Sequence, residues 1–121
     1  TFDIWIHELE RSLLTRLTFE TQSEYRPAWS PDGRWIAYLS DRTGEYELYV
    51  AAQDGSGEPK QLTSDGDVWR FPPAWSPDSK WIAFMAKDDY FFYNLYVQSI
   101  EETEHRQITF LSHIGGGGVR W

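Results

Sequence analysis

The hexapeptide Pro27-Ala28-Trp29-Ser30-Pro31-Asp32 returns 46 residues later as Pro73-Ala74-Trp75-Ser76-Pro77-Asp78. Its flank returns with it, as Gly33-Arg34-Trp35-Ile36-Ala37-Tyr38 and Ser79-Lys80-Trp81-Ile82-Ala83-Phe84. Weaker echoes extend the repeat. Glu47-Leu48-Tyr49-Val50 matches Asn94-Leu95-Tyr96-Val97, and backwards it matches Asp3-Ile4-Trp5-Ile6. Gln61-Leu62-Thr63 matches Gln107-Ile108-Thr109 and Arg16-Leu17-Thr18, and Trp121 falls on the position of Trp75. The chain thus divides into the end of one unit (1–22), two whole units (23–66 and 67–112) and the opening of another (113–121).

Each unit reads as four short strands. The first enters Ala-Trp-Ser and is closed by Pro31-Asp32-Gly33 or Pro77-Asp78-Ser79, where Pro presets φ, Asp bonds its own downstream backbone and Gly takes φ > 0. The second, Trp35 to Leu39 or Trp81 to Met85, is nearly continuous in apolar residues and too short for a helix, which suits a strand buried on both faces. The third is Leu48-Tyr49-Val50, ended by Asp54-Gly55-Ser56-Gly57. The fourth, Lys60 to Thr63, is more polar, as an outer edge strand should be. No stretch combines helical apolar spacing with caps. An all-β chain with a period in the 40s predicts four-stranded antiparallel blades of a partial β-propeller.

A net charge of −8 and a pI near 4.7 argue against a nucleic-acid partner, whose phosphates need clustered Lys and Arg. Here Arg11, Arg16, Arg42 and Arg106 are scattered one per loop. A mean hydropathy of −0.58 argues against a membrane span. With no cysteine, and with His7, His105 and His113 showing no ligand spacing, no metal or other cofactor is expected. The serines lack a Gly-x-Ser-x-Gly setting, so no nucleophile and no catalytic residue is expected.

Trp-Ser-Pro-Asp-Gly, followed by Arg-Trp-Ile-Ala-Tyr, Ser-Asp-Arg, Glu-Leu-Tyr-Val and a closing Gln-Leu-Thr, resembles the TolB-type (WD40-like) propeller repeat. The resemblance covers essentially the whole chain and is specific for fold. Similar repeats occur in the periplasmic TolB translocation protein and in propellers attached to prolyl-oligopeptidase- and tricorn-type peptidases. They also occur in sensor-like domains of bacterial kinases and in some lyases. The resemblance implies that Ser40-Asp41-Arg42 forms a structural corner, with Asp accepting backbone bonds and Arg pairing to a neighbouring blade. It slightly favours the periplasm or cell envelope over the cytoplasm.

Two departures from the repeat mark candidate binding surfaces. Asp88-Asp89-Tyr90-Phe91-Phe92-Tyr93 replaces Arg42 to Tyr46 and is one residue longer. Successive strand residues alternate faces, so Tyr90, Phe91, Phe92 and Tyr93 cannot all point inward. One or two are expected to anchor a protein or peptide, or to cap an adjoining blade. The run Gly115 to Gly118 takes the place of Trp69-Arg70-Phe71-Pro72. Trp69, Arg70, Phe71, Glu24, Tyr25, Arg26 and His113 are expected near the axial mouth.

Propellers close with about 4–8 blades, so three blades' worth of chain leaves apolar faces to cover. The expectation is a fragment of a larger TolB-like protein, ahead of a homo-oligomer that completes the ring. Its work is expected to be non-catalytic scaffolding and protein or peptide recognition. The alternative is the substrate-gating propeller of a prolyl-oligopeptidase- or tricorn-type serine peptidase, whose catalytic domain lies outside this chain.

Overall fold

The computed structural model describes residues 1–64, 66, 68, 71–87, 92–101 and 105–108. Ten strands follow in chain order: β1 (Trp5–Glu8), β2 (Leu13–Arg16), β3 (Glu24–Trp29), β4 (Trp35–Ser40), β5 (Glu47–Ala52), β6 (Lys60–Gln61), β7 (Ala74–Trp75), β8 (Trp81–Lys87), β9 (Tyr93–Ser99) and β10 (His105–Gln107). They form a two-stranded sheet, β1-β2, and two four-stranded antiparallel sheets, β3-β4-β5-β6 and β7-β8-β9-β10. The four-strand unit expected from the repeat is therefore what forms, twice.

The repeated turn explains its own sequence. Ser30 Oγ donates to Asp32 Oδ1 (2.6 Å) and accepts from Trp35 N–H, while Arg34 N–H donates to the same Asp32 oxygen. Ser76, Asp78, Lys80 and Trp81 repeat this pattern at the same distances. The turn needs a positive φ at its fourth position, met by Gly33 (73°) and by Ser79 (62°). Ser79 carries the strained angle but uses its hydroxyl, which accepts from Asp32 N–H of the neighbouring turn at 3.1 Å.

Leu-Thr closes the first two units for a related reason. Thr18 Oγ1 accepts from Ile4 N–H and Thr63 Oγ1 accepts from Leu48 N–H, each at 2.9 Å. The hydroxyl thereby satisfies a backbone donor at the start of the third strand, which would otherwise be buried without a partner.

The core lies between sheets. On β4, Ala37 and Leu39 face the third sheet, whereas Ile36 and Tyr38 face the first. On β5, Leu48 and Val50 face the third sheet, and Tyr49 and Ala51 the first. Both faces of these strands are buried, hence the unbroken apolar runs. Trp75, Ile82, Phe84 and Tyr96 meet them from the third sheet. Each such side chain contributes roughly 1.5–3 kcal/mol when fully buried. Directly opposed aromatics stack within both sheets: Tyr38 on Tyr49 (5.8 Å, 16°) and Phe84 on Tyr96 (5.9 Å, 19°).

Candidate functional site

Antiparallel order sorts the loops to two ends of the sheets. Turns 30–34 and 76–80 share one end with loops 9–12 and 53–59. The opposite end carries the connections between β2 and β3, β4 and β5, β6 and β7, and β8 and β9. Tyr25, Arg26, Phe71, Phe92 and Tyr93 all belong to that second end, by their places in chain order.

At this end, β3 is bulged. Tyr25 opposes Leu39 and Ala28 opposes Ala37, so β3 holds one residue more than its partner. Arg26 sits in the bulge with φ 56°, a left-handed angle that is uncommon for a residue with a Cβ, and its side chain is exposed. Tyr25 beside it is half-buried between two rings, Phe2 at 5.5 Å and Tyr46 at 5.7 Å. Phe71 is half-buried, Phe92 is 43% exposed, and Tyr93 lies half-buried with Lys87 Nζ 5.4 Å from its ring centre. Trp69, Arg70, Tyr90, Phe91 and His113 lie outside the described residues.

Behind this end sits a charged node that sequence reasoning noticed only in part. Arg42 stacks over the Tyr49 ring at 4.2 Å and donates to Tyr38 Oη, Ser40 Oγ and the carboxylate of Glu24; its other Nη lies 3.5 Å from Glu20. Asp41 accepts from Ser23 N–H, as the resemblance implied. Arg42, by contrast, bonds within its own sheet, to Tyr38, Ser40 and Glu24, and pairs with Glu20 of the preceding connection rather than with a strand of a neighbouring blade. Glu24 is buried and also accepts from Thr18. Its burial raises the carboxyl above the ordinary range, against the pull of the Thr18 hydroxyl and the Arg42 guanidinium. Burial also pushes the Tyr38 phenol up to about 12, with Arg42 opposing it. Glu24, expected with Tyr25 and Arg26 at the axial mouth, is instead buried, because Thr18 and Arg42 bond its carboxylate inside the protein.

Between the first two sheets runs a cleft of about 680 Å³, from Glu8 and Leu13 at one end to Phe19, Glu20 and Arg42 at the other. Its cations are matched locally: Arg11 with Glu8 at 2.7 Å, Arg16 with Asp3 at 2.9 Å. Asp32 and Asp78 are held below the usual carboxylate range by the hydroxyls of Ser30 and Ser76, then by the next N–H groups. That is turn chemistry rather than acid–base chemistry. No group of three potential metal ligands occurs among the described residues. No helix among them is long and apolar enough to cross a membrane, which leaves β-barrels unaddressed.

Residues 1–115 match the family described as TolB beta propeller domain. The chain belongs to this TolB propeller family. The uncharacterized protein Atu1656 of Agrobacterium fabrum (strain C58) is 37% identical over 71 residues, covering 59% of this chain and 24% of the relative. The uncharacterized peptidase YuxL of Bacillus subtilis (strain 168) is 39% identical over 64 residues, covering 52% of this chain and 10% of the relative. A TolB-type structure from Agrobacterium tumefaciens superposes with a TM-score of 0.71 and 26% identity, covering 87% of this chain and 40% of that one. The chain thus spans under a quarter of the length of these two curated relatives.

Proposed function

We propose that this chain is a non-catalytic segment of a larger TolB-type propeller, and that it recognises a protein or peptide at the end carrying Tyr25, Arg26, Phe71, Phe92 and Tyr93. The bulge at Arg26 carries this reading. A non-glycine residue held at positive φ is strained, and such strain clusters where a side chain must be aimed. Here it holds the exposed Arg26 next in sequence to Tyr25, whose ring meets Phe2 and Tyr46. Rings with an adjacent arginine are the residue types that anchor protein partners. Trp69, Arg70, Tyr90, Phe91 and His113 extend the same surface in the proposal. The opposite end offers repeated turns whose polar side chains are bonded to their own backbone.

The test is a panel of random displayed peptides selected against the chain. Selected peptides should lose binding to the double variant Arg26→Glu, Phe92→Ser. They should keep it with Arg11→Ala, which lies at the other end. Peptides indifferent to the double variant contradict the reading.

A second reading draws on the likeness to YuxL, a peptidase by name. In that case the segment filters peptides toward a catalytic domain elsewhere in the polypeptide. A hydrolase domain in the full gene product supports it; a secretion signal without such a domain supports an envelope scaffold. The proposed compartment is the periplasm or cell envelope.

A further inference from the structure

The fourth strand of each unit is the outer edge of its sheet, and one of the three is built unlike the others. By repeat position, Leu13-Leu14-Thr15 of the first unit corresponds to Glu58-Pro59-Lys60 of the second and Glu104-His105-Arg106 of the third. Charge and proline at an exposed edge discourage pairing with other strands. The second unit accordingly keeps only β6, two residues long, whereas β2 runs for four with no charge before Arg16. Leu13 lines the cleft toward the second sheet and is 48% exposed.

Backbone alternation determines what β2 offers. Leu17 N–H donates to Ile4 C=O, so Leu17, Thr15 and Leu13 direct their polar groups inward, to β1. The N–H and C=O of Leu14 and Arg16 therefore point outward, where no further strand lies among the described residues. An identical strand related by two-fold symmetry meets these groups, and charge selects its register. Centring the pair on Arg16 sets two guanidiniums opposite one another, which is destabilising. Centring it on Leu14 places Arg16 against Ser12, a turn residue at φ 50° that is not extended. Centring it on Thr15 pairs Leu14 with Arg16 in both directions, brings Leu13 beside Leu17 and sets threonine against threonine, with no like charges opposed.

We propose that β2 pairs antiparallel with β2 of a second copy, about a two-fold axis through Thr15. The partner's Arg16 exchanges N–H and C=O with Leu14 and lays its aliphatic stem over it. Each Arg16 head keeps its Asp3 partner at 2.9 Å. Four residues make a small contact, so the pairing belongs to the weak, transient class of interfaces. The contact lies on the side of β2 away from β1. It rests neither on ring closure nor on recognition at the end carrying Tyr25 and Arg26.

The test is sedimentation and amide hydrogen exchange of the 121-residue chain, followed from about 10 μM to about 1 mM. Dimers should appear, and exchange at the Leu14 and Arg16 amides should slow as concentration rises. The Thr15 amide, already bonded to β1, should not respond. Thr15→Lys, a residue that Lys60 already supplies at this position of the second unit, sets two ammonium groups across the axis. It should weaken association about fivefold or more. Mixing it with Thr15→Glu should restore association, because opposite charges then meet. A chain that stays monomeric throughout, association indifferent to Thr15→Lys, or a mixture no tighter than the single variants overturns the proposal. Concentration-dependent protection at the Trp5 and His7 amides instead also overturns it, assigning self-association to the inner edge.

Discussion

The indole N–H of Trp75 donates to the carbonyl of Ala28 at 2.9 Å, across the boundary between two sheets. This bond, made from a side chain that is itself core, ties the inner strand of one blade to that of the next. Trp75→Phe should cost about 1 kcal/mol, the net worth of such a bond. Trp75→Ala should cost about 3–5 kcal/mol, because a cavity opens beside Ile82 and Phe84. Urea unfolding of both variants checks the gap between them; a Trp75→Phe variant as stable as the parent would show the bond to be idle.

At Arg26, stability and recognition should separate. Arg26→Gly accepts φ 56° without strain and removes the guanidinium. Its folding free energy should match or exceed the parent's, within about 1 kcal/mol. Its affinity for peptides selected against the parent should fall at least about tenfold, as hot-spot truncations do. A variant that loses stability while keeping affinity would make the bulge purely architectural.

The buried Glu24 should leave a signature in pH. Its carboxyl is raised chiefly by burial, so it holds its proton more tightly folded than unfolded. Such a group supports folding below its unfolded value of about 4.5, and that support is lost as pH rises through the higher folded value. Glu24→Gln cannot ionise. Its stability relative to the parent should therefore improve between about pH 4 and about pH 7. A difference independent of pH would mean that Arg42 and Thr18 fully offset the burial.

Asp32 and Asp78 should behave oppositely, and alike. Both carboxyls are lowered, first by a serine hydroxyl and then by a backbone N–H, so their contribution is present above about 3.8 and fades as pH falls through the folded value. Asp32→Asn and Asp78→Asn should destabilise to similar extents at neutral pH and converge on the parent in acid. Neither should alter peptide binding. Unequal effects would indicate a second role for one of them.

What the sequence revealed depended on repetition. Trp-Ser-Pro-Asp occurs twice with the same local bonds, so strand, turn and period were readable from spacing alone. Tyr38 and Phe84 could be placed as buried aromatics because a buried strand shows no polar alternation. Glu24 could not, since its carboxylate is satisfied by Thr18 from the preceding unit and by Arg42 from a corner that the next unit lacks. The bulge was equally silent: nothing in Tyr25-Arg26-Pro27 announces that Arg26 takes a left-handed angle, because the register against Leu39 and Ala37 sets it. The aromatic run after β8 was visible as a departure from the repeat, and the structure describes Phe92 and Tyr93 of it.

Recognition at one end of the blades is tested most directly by the hydrogen-exchange footprint of a peptide selected against the chain. Protection is expected at residues 24–26 and 41–46, with Phe71, Phe92 and Tyr93 joining it. No change is expected at turns 30–34 and 76–80 or in loop 53–59. A footprint centred on those turns, or on the cleft beside Leu13 and Gly55, would contradict it.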